Sequence, residues 1–77
     1  MTPEQSRAAR GWLDLGQLEL AEAAGVSHST VRDFEKGRRV PIAATLRAMQ
    51  AALEARGIGF VDDAGTLGVT GPKRANA

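Results

Sequence analysis

The sequence contains no cysteine. That absence excludes disulfides, cysteine-ligated metal and a thiol nucleophile together. Tyrosine is also missing, and the aromatic residues are Trp12, Phe34 and Phe60 alone, too few to build a stacking platform for single-stranded nucleic acid. No apolar stretch approaches the ~18 residues that a membrane helix needs. The opening Met1-Thr2-Pro3-Glu4 has neither the basic n-region nor the apolar h-region of an export signal. Neither sign of charge dominates: ten Lys and Arg against nine Asp and Glu leave a formal charge of +1, which excludes a broadly cationic surface. Any polyanion must therefore be met by one local face. The 77 residues make one small domain, whose folding buries only about 60–65% of the surface that the unfolded chain exposes. A lone domain of this size is marginal without further support, commonly a partner subunit. The expectation is a small, soluble, cytoplasmic domain.

What is present is mostly helix. Thr2, Pro3 and Gln5 read as a capping box with proline in the first helical position, opening a helix over about Pro3–Leu13. Asp14 and Gly16 break its pattern. A second, short helix spans about Gln17 to Ala24, with Leu15 and Leu20 spaced as a hydrophobic staple and Leu20, Ala21 and Ala24 facing inward. Gly25 ends it as a residue tolerant of left-handed backbone. Ser27 caps a third helix, with Val26 and Val31 at staple spacing, and Gly37 closes that helix. Val31, Phe34 and Glu35 point to one side of it; His28, Ser29, Arg32, Asp33 and Lys36 point to the other. A fourth helix is expected over about Ala43–Arg56, with Ile42, Leu46, Met49 and Leu53 as its apolar stripe. Ile58–Val61 and Thr66–Val69 then read as a β-hairpin around a four-residue loop, Asp62-Asp63-Ala64-Gly65. Residues 70–77 carry nothing worth burying and are expected to be a disordered tail.

The segment from Gln17 to Lys36, QLELAEAAGVSHSTVRDFEK, has what a helix-turn-helix requires. Ala21 is small where the two helices touch, Gly25 makes the turn, and Leu20, Val26, Val31 and Phe34 anchor the second helix on the first. Such an arrangement leaves the N-terminal end of the second helix free to enter the major groove. The segment resembles the helix-turn-helix of the Cro/phage-repressor (XRE) family of regulators, and the resemblance extends over about residues 3–57.

The resemblance implies an all-α fold: a compact four-helix, lambda-repressor-like DNA-binding domain, here with a short C-terminal β-hairpin. Members of that family usually bind operator DNA as symmetric dimers, which implies double-stranded DNA as the partner and a nucleoid-associated protein. By position, base-reading side chains fall on His28, Ser29 and Asp33, with Arg32 close by. Phosphate contacts fall on Gln17, Ser27 and the Lys36, Arg38 and Arg39 stretch, while Thr30 either touches phosphate or supports the cap. The family's frequent pairing of a first-helix arginine with a late glutamate of the third falls on Arg10 and Glu35. Glu35 lies on the inward face, where an unpaired carboxylate would be costly. General physics points the same way: the start of the third helix favours a phosphate near Ser27, Arg32 suits guanine, and the basic stretch supplies a salt-dependent term.

Nothing in the sequence supplies a nucleophile with its base, a cofactor cradle or a metal site. His28 is the only histidine, and Asp62-Asp63 read as a turn. The expectation is a non-enzymatic regulator with no cofactor and no metal. For a dimer contact, the hairpin and Trp12 stand out, because two isolated strands need a helix or another chain to lie on. Trp12, Ile58, Phe60, Val61, Leu67 and Val69 are the candidate interface residues; the alternative is that Trp12 merely covers the core beneath the hairpin. A second functional reading is a protein partner: an antiactivator or antitoxin-like adaptor that docks the same fold on another protein. Leu18, Trp12, Asp33 and the low net charge favour that reading, while Gln17, Ser27 and the Lys36–Arg39 stretch favour DNA.

Overall fold

The caps named by the sequence set the helix boundaries. The structure, a computed structural model, describes residues 1–73. Its elements are α1 (Pro3–Leu13), α2 (Gln17–Ala24), α3 (His28–Glu35), α4 (Ala43–Glu54), β1 (Gly59–Asp63) and β2 (Thr66–Thr70). At the start of α1 the Thr2 hydroxyl accepts from the Gln5 amide at 3.1 Å, and Gln5 Oε1 accepts from the Thr2 amide at 2.9 Å. The chain turns out of α1 at Asp14, the one non-glycine residue with positive φ (59°) among those described. Gly16 offers no side chain to cap α2, so Glu19 accepts its backbone N–H at 2.9 Å instead. Gly25, at φ 69°, ends α2, and the Val26 amide bonds back to the Ala21 carbonyl at 3.0 Å. The Ser27 hydroxyl then accepts from the Thr30 amide at 3.1 Å, opening α3. Only three residues thus separate the two helices, and they are fixed by backbone hydrogen bonds as well as by the cap.

Ala9 of α1, Leu20 and Ala21 of α2, Val31 and Phe34 of α3, Met49, Ala52 and Leu53 of α4, and Ile58 make up the core. Leu13, Leu15, Ala24, Val26 and Leu46 pack at its margin. The fourth helix starts at Ala43 as expected, but its end and its apolar stripe need correction. The helix stops at Glu54, and Ile42 is not on its apolar stripe. Ile42 is the N-cap, with ψ 156°. That extended backbone takes its side chain off the 100°-per-residue progression of the helix and leaves it 74% exposed. The buried residues of α4 are Met49, Ala52 and Leu53.

The hairpin also differs from the four-residue loop expected of it. Asp62 pairs with Leu67 and Asp63 with Thr66, so the strands are joined by Ala64 and Gly65 alone. Gly65 takes φ 81° while Ala64 keeps a negative φ, the pattern of a type II turn, whose third residue favours glycine. Acidic residues are poor strand formers, but both aspartates are exposed at the end of the ribbon, where ladder bonds cost them no burial.

This ribbon lies on α1 of its own chain. Gln5 is buried, and its Nε2 donates to the carbonyls of Val61 (2.9 Å) and Gly68 (3.0 Å), one on each strand. Ile58 is inside the core, and Phe60 and Val69 pack against it. After Thr70 the chain passes Trp12, whose Nε1 donates to the Pro72 carbonyl at 3.0 Å. A Cβ at Gly71 would overlap the Trp12 indole. Of the expected tail, Thr70 belongs to β2 and residues 74–77 lie outside those described. The Gln5 clamp yields a prediction. Gln5→Ala is expected to cost about 2 kcal/mol, since it removes two hydrogen bonds to half-buried carbonyls and one cap bond. Urea denaturation measures the loss, and an unchanged midpoint would contradict the clamp.

Candidate nucleic-acid interface

The two faces of α3 have separate tasks. Inward, Val31, Phe34 and Glu35 are buried. Outward, His28, Ser29 and Arg32 are exposed, and Lys36, Arg38 and Arg39 follow as an exposed run. Gly37, at φ 73°, turns the chain after α3. The Gly37 amide bonds to the Phe34 carbonyl at 3.0 Å and the Arg38 amide to the Asp33 carbonyl at 2.9 Å. The cationic run is thereby held against the end of the helix. Ser27, His28, Ser29, Arg32, Lys36, Arg38 and Arg39 are all exposed, the first four at the start of α3 or along it and the cationic run after its end.

Asp33 and Gln17 sit differently from the expectation, and Thr30 takes the cap role, one of the two expected of it. Thr30 is half-buried, and its hydroxyl lies 2.7 Å from that of Ser27; it belongs to the cap. Ser29's hydroxyl is 3.1 Å from the same oxygen but stays exposed. Asp33 is half-buried, with Arg32 Nε 3.3 Å from its Oδ1, so its charge is partly met by its neighbour. Gln17 is also half-buried, and its side-chain amide donates to Glu35 Oε1 at 3.1 Å. Its side chain is therefore engaged inside the domain.

Glu35 is where the orientation of α3 is decided. Its side chain is 1% exposed. Arg10 approaches it in a two-pronged fork, Nη2 to Oε1 at 2.7 Å and Nε to Oε2 at 2.9 Å. The Ser6 hydroxyl donates to Oε2 at 2.6 Å, and Gln17 completes the set. Arg7 donates to the Glu35 backbone carbonyl, and the remaining arm of Arg10 reaches the Leu15 carbonyl at 3.0 Å. One carboxylate thus ties α1, the start of α2 and the end of α3 together. The sequence pointed to Arg10 alone as its partner. Ser6 and Gln17 were missed; Ser6 stands four residues before Arg10, on the same helix face, and that spacing was the available signal.

Burial pushes the Glu35 carboxyl towards its neutral form, but the hydrogen bonds from Arg10, Ser6 and Gln17 and the Arg10 charge outweigh it. The net result is a pKa below the ordinary glutamate value. The hydrogen bond to Glu35 correspondingly raises that of Arg10, against the opposing effect of burial.

Residues 5–59 match the family model of the helix-turn-helix domain, more than half of the chain. The chain belongs to this family. No curated protein matches it. In the helix-turn-helix domain α2 and α3 form the motif, and α3 is its second helix, the one whose N-terminal residues meet base edges in domains of this type. The matched region takes in nearly all of α1 and the whole of α2 to α4, and leaves all but the first residue of the hairpin beyond it. Among the described residues, no three His, Asp or Glu side chains are grouped to hold a metal ion. No described helix is long and apolar enough to cross a membrane.

Because Glu35 has a lowered pKa in the folded domain, its stabilising contribution is complete above the unfolded value of about 4.3. It is lost as pH falls through the lower folded value. The urea midpoint should therefore stay level from pH 7 to 5 and decline below about pH 4.3. Glu35→Gln should lose about 3 kcal/mol at neutral pH and show a shallower acid limb. An acid limb as steep as that of the parent would show that another carboxylate is responsible.

Proposed function

We propose that this helix-turn-helix domain is a sequence-specific regulator of transcription of the Cro/phage-repressor (XRE) type, acting in the prokaryotic cytoplasm by occupying operator DNA. The observation that carries the reading is the outward face of α3. Its first turn is capped by Ser27 and bears exposed His28 and Ser29, and its far end runs into exposed Lys36, Arg38 and Arg39. His28, Ser29 and Arg32 are assigned to base edges. Ser27 and the cationic run are assigned to phosphate, where helix N-terminal amides and arginines both favour a negative group. Asp33 suits the amino group of cytosine, with Arg32 sharing its charge. Gln17 is assigned to phosphate only through the outer part of its amide, since one N–H is taken by Glu35.

In this reading two copies bind an imperfect palindrome, with α3 of each in successive major grooves about 34 Å apart. The hairpin supplies the dimer contact. Ile58, Phe60 and Val69 are used within their own chain, so the contact rests on Trp12 (44% exposed), the half-exposed Leu67, Val61 and the outer backbone edges of β1 and β2. A second reading, an adaptor that docks on a protein, is favoured by one observation. Leu18 projects from α2 with 53% of its surface exposed, although it neighbours the motif.

The deciding experiment is heparin-competed binding to DNA from the protein's own promoter region across a salt titration. The expected outcome is a specific complex with a steep salt slope. Arg38→Ala should weaken binding to all sequences and reduce that slope by about 1, whereas Ser29→Ala should mainly relax sequence choice. Equal losses of specificity in both variants would overturn these assignments, and weak, sequence-blind binding throughout would move the conclusion to the protein adaptor.

A further inference from the structure

The connection between α3 and α4 exposes apolar surface that the fold does not use. Val40 is 83% exposed and Ile42 74%, more than any other large hydrophobic side chain among the described residues. With Pro41 between them they border an open groove of about 350 Å³, whose other walls are Thr30, Arg39 and Thr45. Adjacent exposed aliphatics beside a concavity mark a surface that gains by being covered.

The charge around the groove restricts what can cover it. Arg39 forms part of its wall, Arg38 and Lys36 lie immediately before it, and no acidic residue occurs between Glu35 and Glu54. A two-fold contact of two copies through this groove would bring Arg39 against Arg39. Two aliphatics and a proline also fall far short of the ~800 Å² per partner of a stable interface. A DNA backbone would satisfy the arginines but offers no apolar surface to cover Val40 and Ile42. The complement of this surface is a chain carrying apolar side chains next to carboxylates.

We propose that the groove docks an acidic protein segment with aliphatic or aromatic anchors. The anchors cover Val40 and Ile42, and the carboxylates pair with Arg38 and Arg39. The same arginines bind phosphate in the function proposed above, and Thr30 joins the groove to the first turn of α3. The segment and DNA therefore exclude one another, a clause that rests on the DNA-binding reading. Docking of this kind would release the domain from its operator.

The test is to pan a phage-displayed random dodecapeptide library on the full chain, then synthesise the enriched peptides with a fluorescent label. Enriched sequences should combine Asp or Glu with Leu, Ile, Phe or Trp. The double variant Val40→Ser with Ile42→Ser should weaken them at least tenfold while leaving the thermal midpoint no lower than the parent's, because both side chains lie outside the core and serine is a better N-cap for α4 than isoleucine. The unlabelled peptide should displace a labelled promoter duplex. Enriched peptides without acids, peptides indifferent to the double variant, or no enrichment at all would overturn the proposal. So would a parent dimer that the double variant makes monomeric, which would assign the groove to a second copy. Direct duplex binding by the parent separates the two claims. Peptide binding without duplex binding leaves the docking site standing and removes the operator reading, whereas duplex binding that no groove-bound peptide displaces overturns the exclusion.

Discussion

A single buried carboxylate decides where the outward face of α3 points. Glu35 could not sit inside the domain uncompensated, since a lone buried charge is among the most costly features a small fold can carry. Arg10, Ser6 and Gln17 together answer it, and they come from two other helices. Each has a fixed reach, so satisfying the carboxylate fixes α3 relative to α1 and α2 more sharply than aliphatic packing could. Val31 and Phe34 tolerate small slides, whereas a forked Arg–Glu pair does not. The polar cluster thus provides orientation, and the apolar core of Leu20, Ala21, Met49 and Leu53 provides most of the driving force.

The rest of the molecule supports that frame. Packing of α4 against α2 closes one side of the core, and the hairpin closes it on the side of α1. Because the ribbon rests on Gln5 and places Ile58 inside, it is part of the domain's fabric. This answers the difficulty that two strands face alone in water. It also explains why the outward residues of α3 are free to be polar and cationic: none of them is needed to hold the fold.

Much of this was legible in the sequence, because the signals were local. Thr2 with Gln5, Ser27 with Val26 and Val31, and Gly25 at the turn each specify a boundary through contacts within a few residues. The helix pair followed from them. What escaped is what depends on distant partners or on backbone angle. Ile42 fits a heptad-like stripe by spacing, but the cap conformation turns it outward. Asp62 and Asp63 look like loop residues by propensity, yet the two-residue link at Ala64-Gly65 draws them into the strands. Gln17 looked like a surface amide, because no pattern along the chain reveals that its partner stands 18 residues ahead. Within the candidate site the exposed positions of α3 were readable from helical periodicity, whereas the sharing of charge between Arg32 and Asp33 needed coordinates.

Gln5 belongs to the first helical turn, yet the carbonyls its amide holds stand 56 and 63 residues further on. A ribosome emits the start of this chain long before the strands that satisfy it. Until they emerge, Gln5 completes only its local cap, and α1 has no ribbon to lie against. The α2–α3 pair can meet earlier, as its partners stand nearer along the chain, but the first helix takes its last hydrogen bonds from the hairpin. Final seating of α1 therefore waits for the hairpin, and a chain cut short before it would leave the buried amide of Gln5 without its strand partners.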